Sequence, residues 1–153
     1  MSEQYDSRPD TQAHIRRVIY LNYCFCGFLA KQVCEHDRSK LRDPEKAIFD
    51  EFTPKLKHST YGSDEYKQFL ADMQMGLKHH YAENRHHPEH FENGIRDMTL
   101  IDIVEMLLDW KAASERHGDG DLFRSIELNQ GRFGYSDDLK MILANTARIL
   151  KEL

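Results

Sequence analysis

The stretch "MTLIDIVEMLLDWKAASERH", Met98–His117, decides the fold. Its apolar residues recur at steps of three and four and fill most of its circumference, so it reads as a helix buried on a wide arc and ending near Gly118. Outward from it, the same period returns on both sides. Residues from about Thr11 to Glu35 are apolar at helical spacing, with Asp10 or Thr11 as N-cap and Gly27 as a point that divides the stretch into two helices. "DPEKAIFDEF", Asp43–Phe52, starts with Asp43 as N-cap and Pro44 at the first helical position. "SDEYKQFLADMQMGLKHHYA", Ser63–Ala82, carries Tyr66, Phe69, Met73, Leu77 and His80 along one face. A short helix around Leu122–Leu128 and a terminal one from Ser136, turning Leu139, Ile142, Leu143 and Ile149 inward, complete the series. "GDGD", Gly118–Asp121, is a turn between helices. Strand signals are scarce: β-branched residues do not alternate, and no Asn-Gly or Asp-Gly turn joins two such runs. The expectation is an all-α protein, one compact bundle of six or seven helices over residues 1–153, with 1–10 a flexible segment.

Composition excludes several function classes. The chain has 153 residues, 40% hydrophobic and 31% charged, which suits one soluble domain with a real core. A formal net charge of -5 argues against an extended nucleic-acid footprint. No apolar run approaches the ~20 residues that span a bilayer. The polar N-terminus does not read as a secretory signal, so a cytoplasmic location is expected. Cys24, Cys26 and Cys34 match no zinc spacing and are expected as buried free thiols.

Chemistry concentrates in histidines. "KHHYAENRHHPEH", Lys78–His90, holds five of the nine. His80 continues the core-facing row of its helix, where an imidazole must be satisfied by a carbonyl or a metal. His86, His87 and His90 follow within ten residues, after a break near Asn84-Arg85 that lets one of them fold back toward His80. His36-Asp37 offers nitrogen and oxygen ligands side by side, and His14 lies 22 residues upstream. Asp102, Glu105 and Asp109 share one helix face; a solvated outer face explains Asp102 readily and Asp109, flanked by Leu108 and Trp110, less so. Imidazoles and carboxylates on separate helices suit one or two divalent ions of Mn, Fe, Co, Ni or Zn better than Mg or Ca. Lys40, one turn after Asp37, is placed to meet a phosphate.

The order His14, His36-Asp37, His79 or His80, His86 or His87, Asp109 resembles the HD-domain metal-dependent phosphohydrolase superfamily, which is all-α. "HDRSK" is similar to the His-Asp-x-Gly-Lys motif of its cyclic-dinucleotide phosphodiesterase branch, although the Gly-Tyr-Pro tripeptide of that branch is missing. The whole chain also looks like an uncharacterised family of small phage and bacterial proteins, on "HDRSK", "NRHHPEH", "VEMLLDWKAA" and "SIELNQGRF". The resemblance implies that His14, His36, Asp37 and Asp109 hold one metal. His80 and His86 help hold a second, with His79 and His87 as substitutes. It implies hydrolysis of a nucleotide or related small phosphoester by metal-activated water. Lys40 with Arg85 or Arg132 supplies positive charge, and Glu105 accepts a proton or orients a histidine. Asn84, Trp110 and Arg132 meet the substrate; Trp110, Phe133 and Tyr81 are also natural core residues. The alternatives are a di-iron oxygenase of the same superfamily and a non-catalytic phage accessory protein that binds a nucleotide or a host protein. A homodimer is compatible with either, in a host cytoplasm if the chain is phage-encoded.

Overall fold

The computed structural model describes residues 5–60, 63–116 and 120–152. Its contacts divide the chain into two units, Met1–Glu35 and His36–Leu153. The first contains one helix, α1, Arg8–Val33. It starts earlier than Asp10 because Pro9 fits a first turn, where its missing N–H costs nothing. Gly27 does not interrupt it; a penalty of about 1 kcal/mol relative to Ala is too small to divide a helix of 26 residues. The three cysteines are free, but Cys26 and Cys34 are exposed and Cys24 only half-buried, against the expectation of buried thiols. A single helix supplies no second layer to bury them. Of the segment 1–10, residues 1–4 lie outside the described residues and Arg8–Asp10 are helical.

The second unit holds α2 (Glu45–His58), α3 (Asp64–Asp72), α4 (Gln74–Glu83), α5 (Leu100–Ser114), α6 (Leu122–Phe133) and α7 (Asp137–Leu150). Short 3-10 turns occupy Arg38–Leu41, Pro88–His90 and Gly94–Asp97. Seven α-helices and no strand appear among the described residues, so the fold is all-α as the periodicity indicates. No described helix is long and apolar enough to cross a membrane. The Gly118–Asp121 turn falls partly on residues 117–119, outside the described residues.

Three local departures from the sequence expectation set up the site. α2 begins at Glu45 with Pro44 before it, and no side chain caps it; Glu45, not Asp43, is the acidic group that organises this end, by turning inward. The stretch Ser63–Ala82 is two helices, broken at the buried Met73. The break sets α4 close against α2: a Cβ on Gly76 would lie 2.9 Å from Ile48 Cγ2. α5 opens with a capping box in which Thr99 Oγ1 accepts from the Asp102 amide and Asp102 accepts from the Thr99 amide. Asp102, expected toward solvent, is fully buried.

The main apolar core lies where α5, α6 and α7 meet, around Leu107, Leu122, Ile126, Leu143 and Ala147, with Tyr135 donating to the Ile126 carbonyl. Trp110 and Phe133 pack on this core with parallel rings 6.4 Å apart. Ser136 caps α7 through the Leu139 amide. This rigid block holds α5, and α5 carries Glu105 and Asp109 to the site.

Candidate metal centre

Four segments of the second unit converge on Asp37: the turn containing His36 and Asp37, α4, the loop 84–87, and α5. Asp37 itself takes the left-handed conformation, φ 57, which aims its carboxylate among the histidines. Its Oδ1 lies 3.3 Å from His80 Nε2 and 3.5 Å from His86 Nε2. His36 Nε2 is 3.7 Å from Asp37 Oδ2 and 3.6 Å from Asp109 Oδ1. His87 Nε2 is 2.9 Å from His80 Nε2. His36 and His86 lie ring over ring, with centroids 4.3 Å apart.

Three groups of ligand atoms emerge among the described residues: Asp37 with His80, His86 and His87; Asp37 with His36 and Asp109; and His36 with His86 and Glu105. The separations of 3.3–3.7 Å around Asp37 match ligand atoms held about 2.1 Å from one ion in a tetrahedral array, which lie about 3.4 Å apart. Asp37 Oδ1 and His86 Nε2 are both buried and have no hydrogen-bond partner. Buried polar atoms are seldom left so, and two of them facing each other fit a cation between them. The residues present therefore fit a divalent transition metal.

His36 and His86 share one carboxylate behind them. Glu105 Oε1 lies 2.9 Å from His36 Nδ1 and 3.3 Å from His86 Nδ1. His90 donates Nδ1–H to the Tyr81 carbonyl and belongs to none of these groups. Arg85, expected to supply charge to a substrate, forms a bidentate pair with Asp102 at 3.1 Å for each bond and lies over the Phe91 ring. It anchors the loop that carries His86 and His87 to the first turn of α5. Asn84, expected to meet substrate, is buried and donates to Ser39 Oγ and the His80 carbonyl. Arg132 pairs with Glu89 and reaches Tyr81 Oη at 3.4 Å. Trp110 belongs to the core contact with Phe133. His14 is exposed on α1 in the first unit, so the grouping in the second is built without it.

Electrostatics separates the histidines. Asp109 and Glu105 push His36 up to about 10, with Asp37 adding to them. Burial pulls His80 below its ordinary value, helped by the charge on Lys40. Burial and the neighbouring His86 and His80 pull His87 down to about 2. Burial raises Asp109, but His36, His86 and His87 outweigh it and hold the carboxyl low. Lys40 sits 2.6 Å from Asp37 Oδ2 and over the Phe49 ring, a cation already at the rim. The centre is closed on the His80 and His86 side, each 2% exposed, and reaches solvent through His36, Asp109 and Lys40.

Fold and site together define an all-α protein with an inward-facing imidazole–carboxylate centre open on one side. The chain belongs to the family of unknown function DUF5662, which matches residues 3–152. No curated protein and no solved structure matches it.

Proposed function

We infer that the second unit is a metal-dependent phosphohydrolase acting on a nucleotide or related small phosphoester. The observation that carries this reading is the pair of buried, unpartnered atoms Asp37 Oδ1 and His86 Nε2, 3.5 Å apart. Asp37, His80, His86 and His87 would hold one ion, and His36, Asp109 and the shared Asp37 a second. When bound, the metal would lower the pKa of a water ligand and offset charge on phosphoryl oxygens. The solvent-facing side supports catalysis over a purely structural ion, since catalytic sites keep a position for substrate. Lys40 stands at that side and supplies positive charge to an arriving phosphate. Glu105 fixes the direction of His36 and His86 from behind. The resemblance of "HDRSK" and the ordered histidines to HD phosphohydrolases supports the same reaction class.

The test is metal content of the purified protein, with a phosphate-release screen across nucleotides in Mn, Co, Ni and Mg. Asp37→Ala should lose metal and abolish turnover. Lys40→Ala should keep metal and slow turnover by about 10- to 100-fold, as for loss of one transition-state cation. Full metal and full activity in Asp37→Ala would overturn the reading. A coupled di-iron resonance that responds to an organic substrate would replace it with an oxygenase.

A further inference from the structure

We propose that Glu45 is a positioning residue that holds His80 in the tautomer with Nδ1 protonated, so that the bare Nε2 faces Asp37. The carboxylate is wholly buried at the first residue of α2. Three donors reach it: His79 Nδ1 at 2.7 Å on Oε1, and His80 Nδ1 and Ser39 Oγ, each at 2.9 Å, on Oε2.

The hydrogens around it can be counted. Asn84 Nδ2 lies 2.8 Å from Ser39 Oγ and 2.8 Å from the His80 carbonyl, which uses both of its amide hydrogens. It also lies 3.0 Å from His80 Nδ1, but has no hydrogen left to give there. Ser39 accepts from Asn84, so its single hydrogen goes to Glu45, while its contact with His80 Nδ1 is longer at 3.4 Å. No neighbouring hydrogen is then left to be donated to His80 Nδ1, so the nitrogen donates its own hydrogen to Glu45.

The consequence appears on the far side of the ring. His80 Nε2 carries a lone pair, so the 2.9 Å contact with His87 Nε2 takes its one hydrogen from His87. Asp37 Oδ1, 3.3 Å away, receives nothing. Glu105 Oε1 also lies 3.3 Å from His86 Nδ1, and His86 Nε2 is buried without a hydrogen-bond partner. The Nε2 lone pair of His80 thus lies beside Asp37 Oδ1 with only the His87 hydrogen on it, a hydrogen bond that a cation bound there would displace. Glu45 also ties the half-exposed His79, so one carboxylate settles which member of the His79-His80 pair faces the centre.

The effect on metal affinity rests on the proposed metal centre; the tautomer does not. Two-bond proton–nitrogen correlation spectra of metal-free, 15N-histidine-labelled protein should show His80 protonated on Nδ1 at neutral pH. An Nε2-protonated His80 would overturn the proposal without any variant. Glu45→Gln, whose amide can present N–H to one of the two histidines, should shift His80 toward the other tautomer, and Glu45→Asp should restore it in part. In competition with a chelator, Glu45→Gln should weaken cobalt binding by about 10- to 100-fold. In a His80→Ala background the same change should have no further effect. An equal loss in both backgrounds would mean that Glu45 acts on the fold alone, and would overturn the positioning role. Absence of cobalt binding in wild type, with the expected tautomer present, would reject the metal centre and leave the role of Glu45 standing.

Discussion

At Asp37 the backbone adopts φ 57 and ψ 10, a conformation that costs most L residues about 1 kcal/mol and that aspartate tolerates better. The strain is spent beside His36, whose own titration gives a signed expectation. Its pKa in the fold, about 10, stands above the ordinary 6.5. In metal-free protein its contribution to stability is complete below pH 6.5 and is lost as pH rises toward 10. His80 and His87 are shifted the opposite way, so they remove stability as pH falls below 6.5. Chelator-treated protein should therefore be most stable near pH 6.5, and His36→Gln should flatten the alkaline side; denaturant midpoints between pH 5 and 10 check both. A metal held by His36 would have to displace its proton, so its apparent affinity should rise by up to about tenfold per pH unit over that alkaline range. Not every such residue was legible in the sequence. His80 stood out because an imidazole in a core-facing helical row needs a partner, whereas His36, Asp37, His86 and Asp109 were singled out by the resemblance their order carries. Glu45 did not stand out, because an acidic residue in a first helical turn is ordinarily explained by the helix dipole.

Among the elements, helix period identified α5 and the terminal helix well, but it could not see the break at Met73. That break goes with the close approach of α4 to Ile48 at Gly76, a contact between segments that neither one encodes alone. The same limit hid the burial of Asp102. A carboxylate near a helix start reads as a solvated cap, and its second partner, Arg85, comes from 17 residues away. This pair gives the clearest test of the loop 84–87. Arg85→Ala strips the bidentate guanidinium from the buried Asp102 carboxylate, which should cost about 1–3 kcal/mol. It should also lower metal affinity, though Arg85 touches no ligand position. Thermal denaturation with and without metal measures both effects. A loss of turnover with melting temperature and metal content unchanged would instead return Arg85 to the substrate, where sequence reasoning had put it.

For the molecule as a whole, the contacts divide the chain into two units, with the boundary immediately before His36. Order along the chain could not reveal this, because His14 and His36 both satisfy helical spacing whichever unit each belongs to. Within the second unit the centre joins groups far apart in sequence: His36 meets Glu105 across 69 residues of chain. Contacts of that separation must first overcome the entropy of closing a long loop, and they come late in folding. A cation that grips only what forms late deepens the native well and leaves the barrier to folding unchanged. Metal at a hundred times its Kd should slow unfolding by about 100-fold and leave the refolding rate as it was, which stopped-flow measurements can resolve. Acceleration of refolding would show that the centre assembles before the transition state. If unfolding alone slows, the lifetime of the folded chain, and with it resistance to proteolysis, follows the supply of the cation.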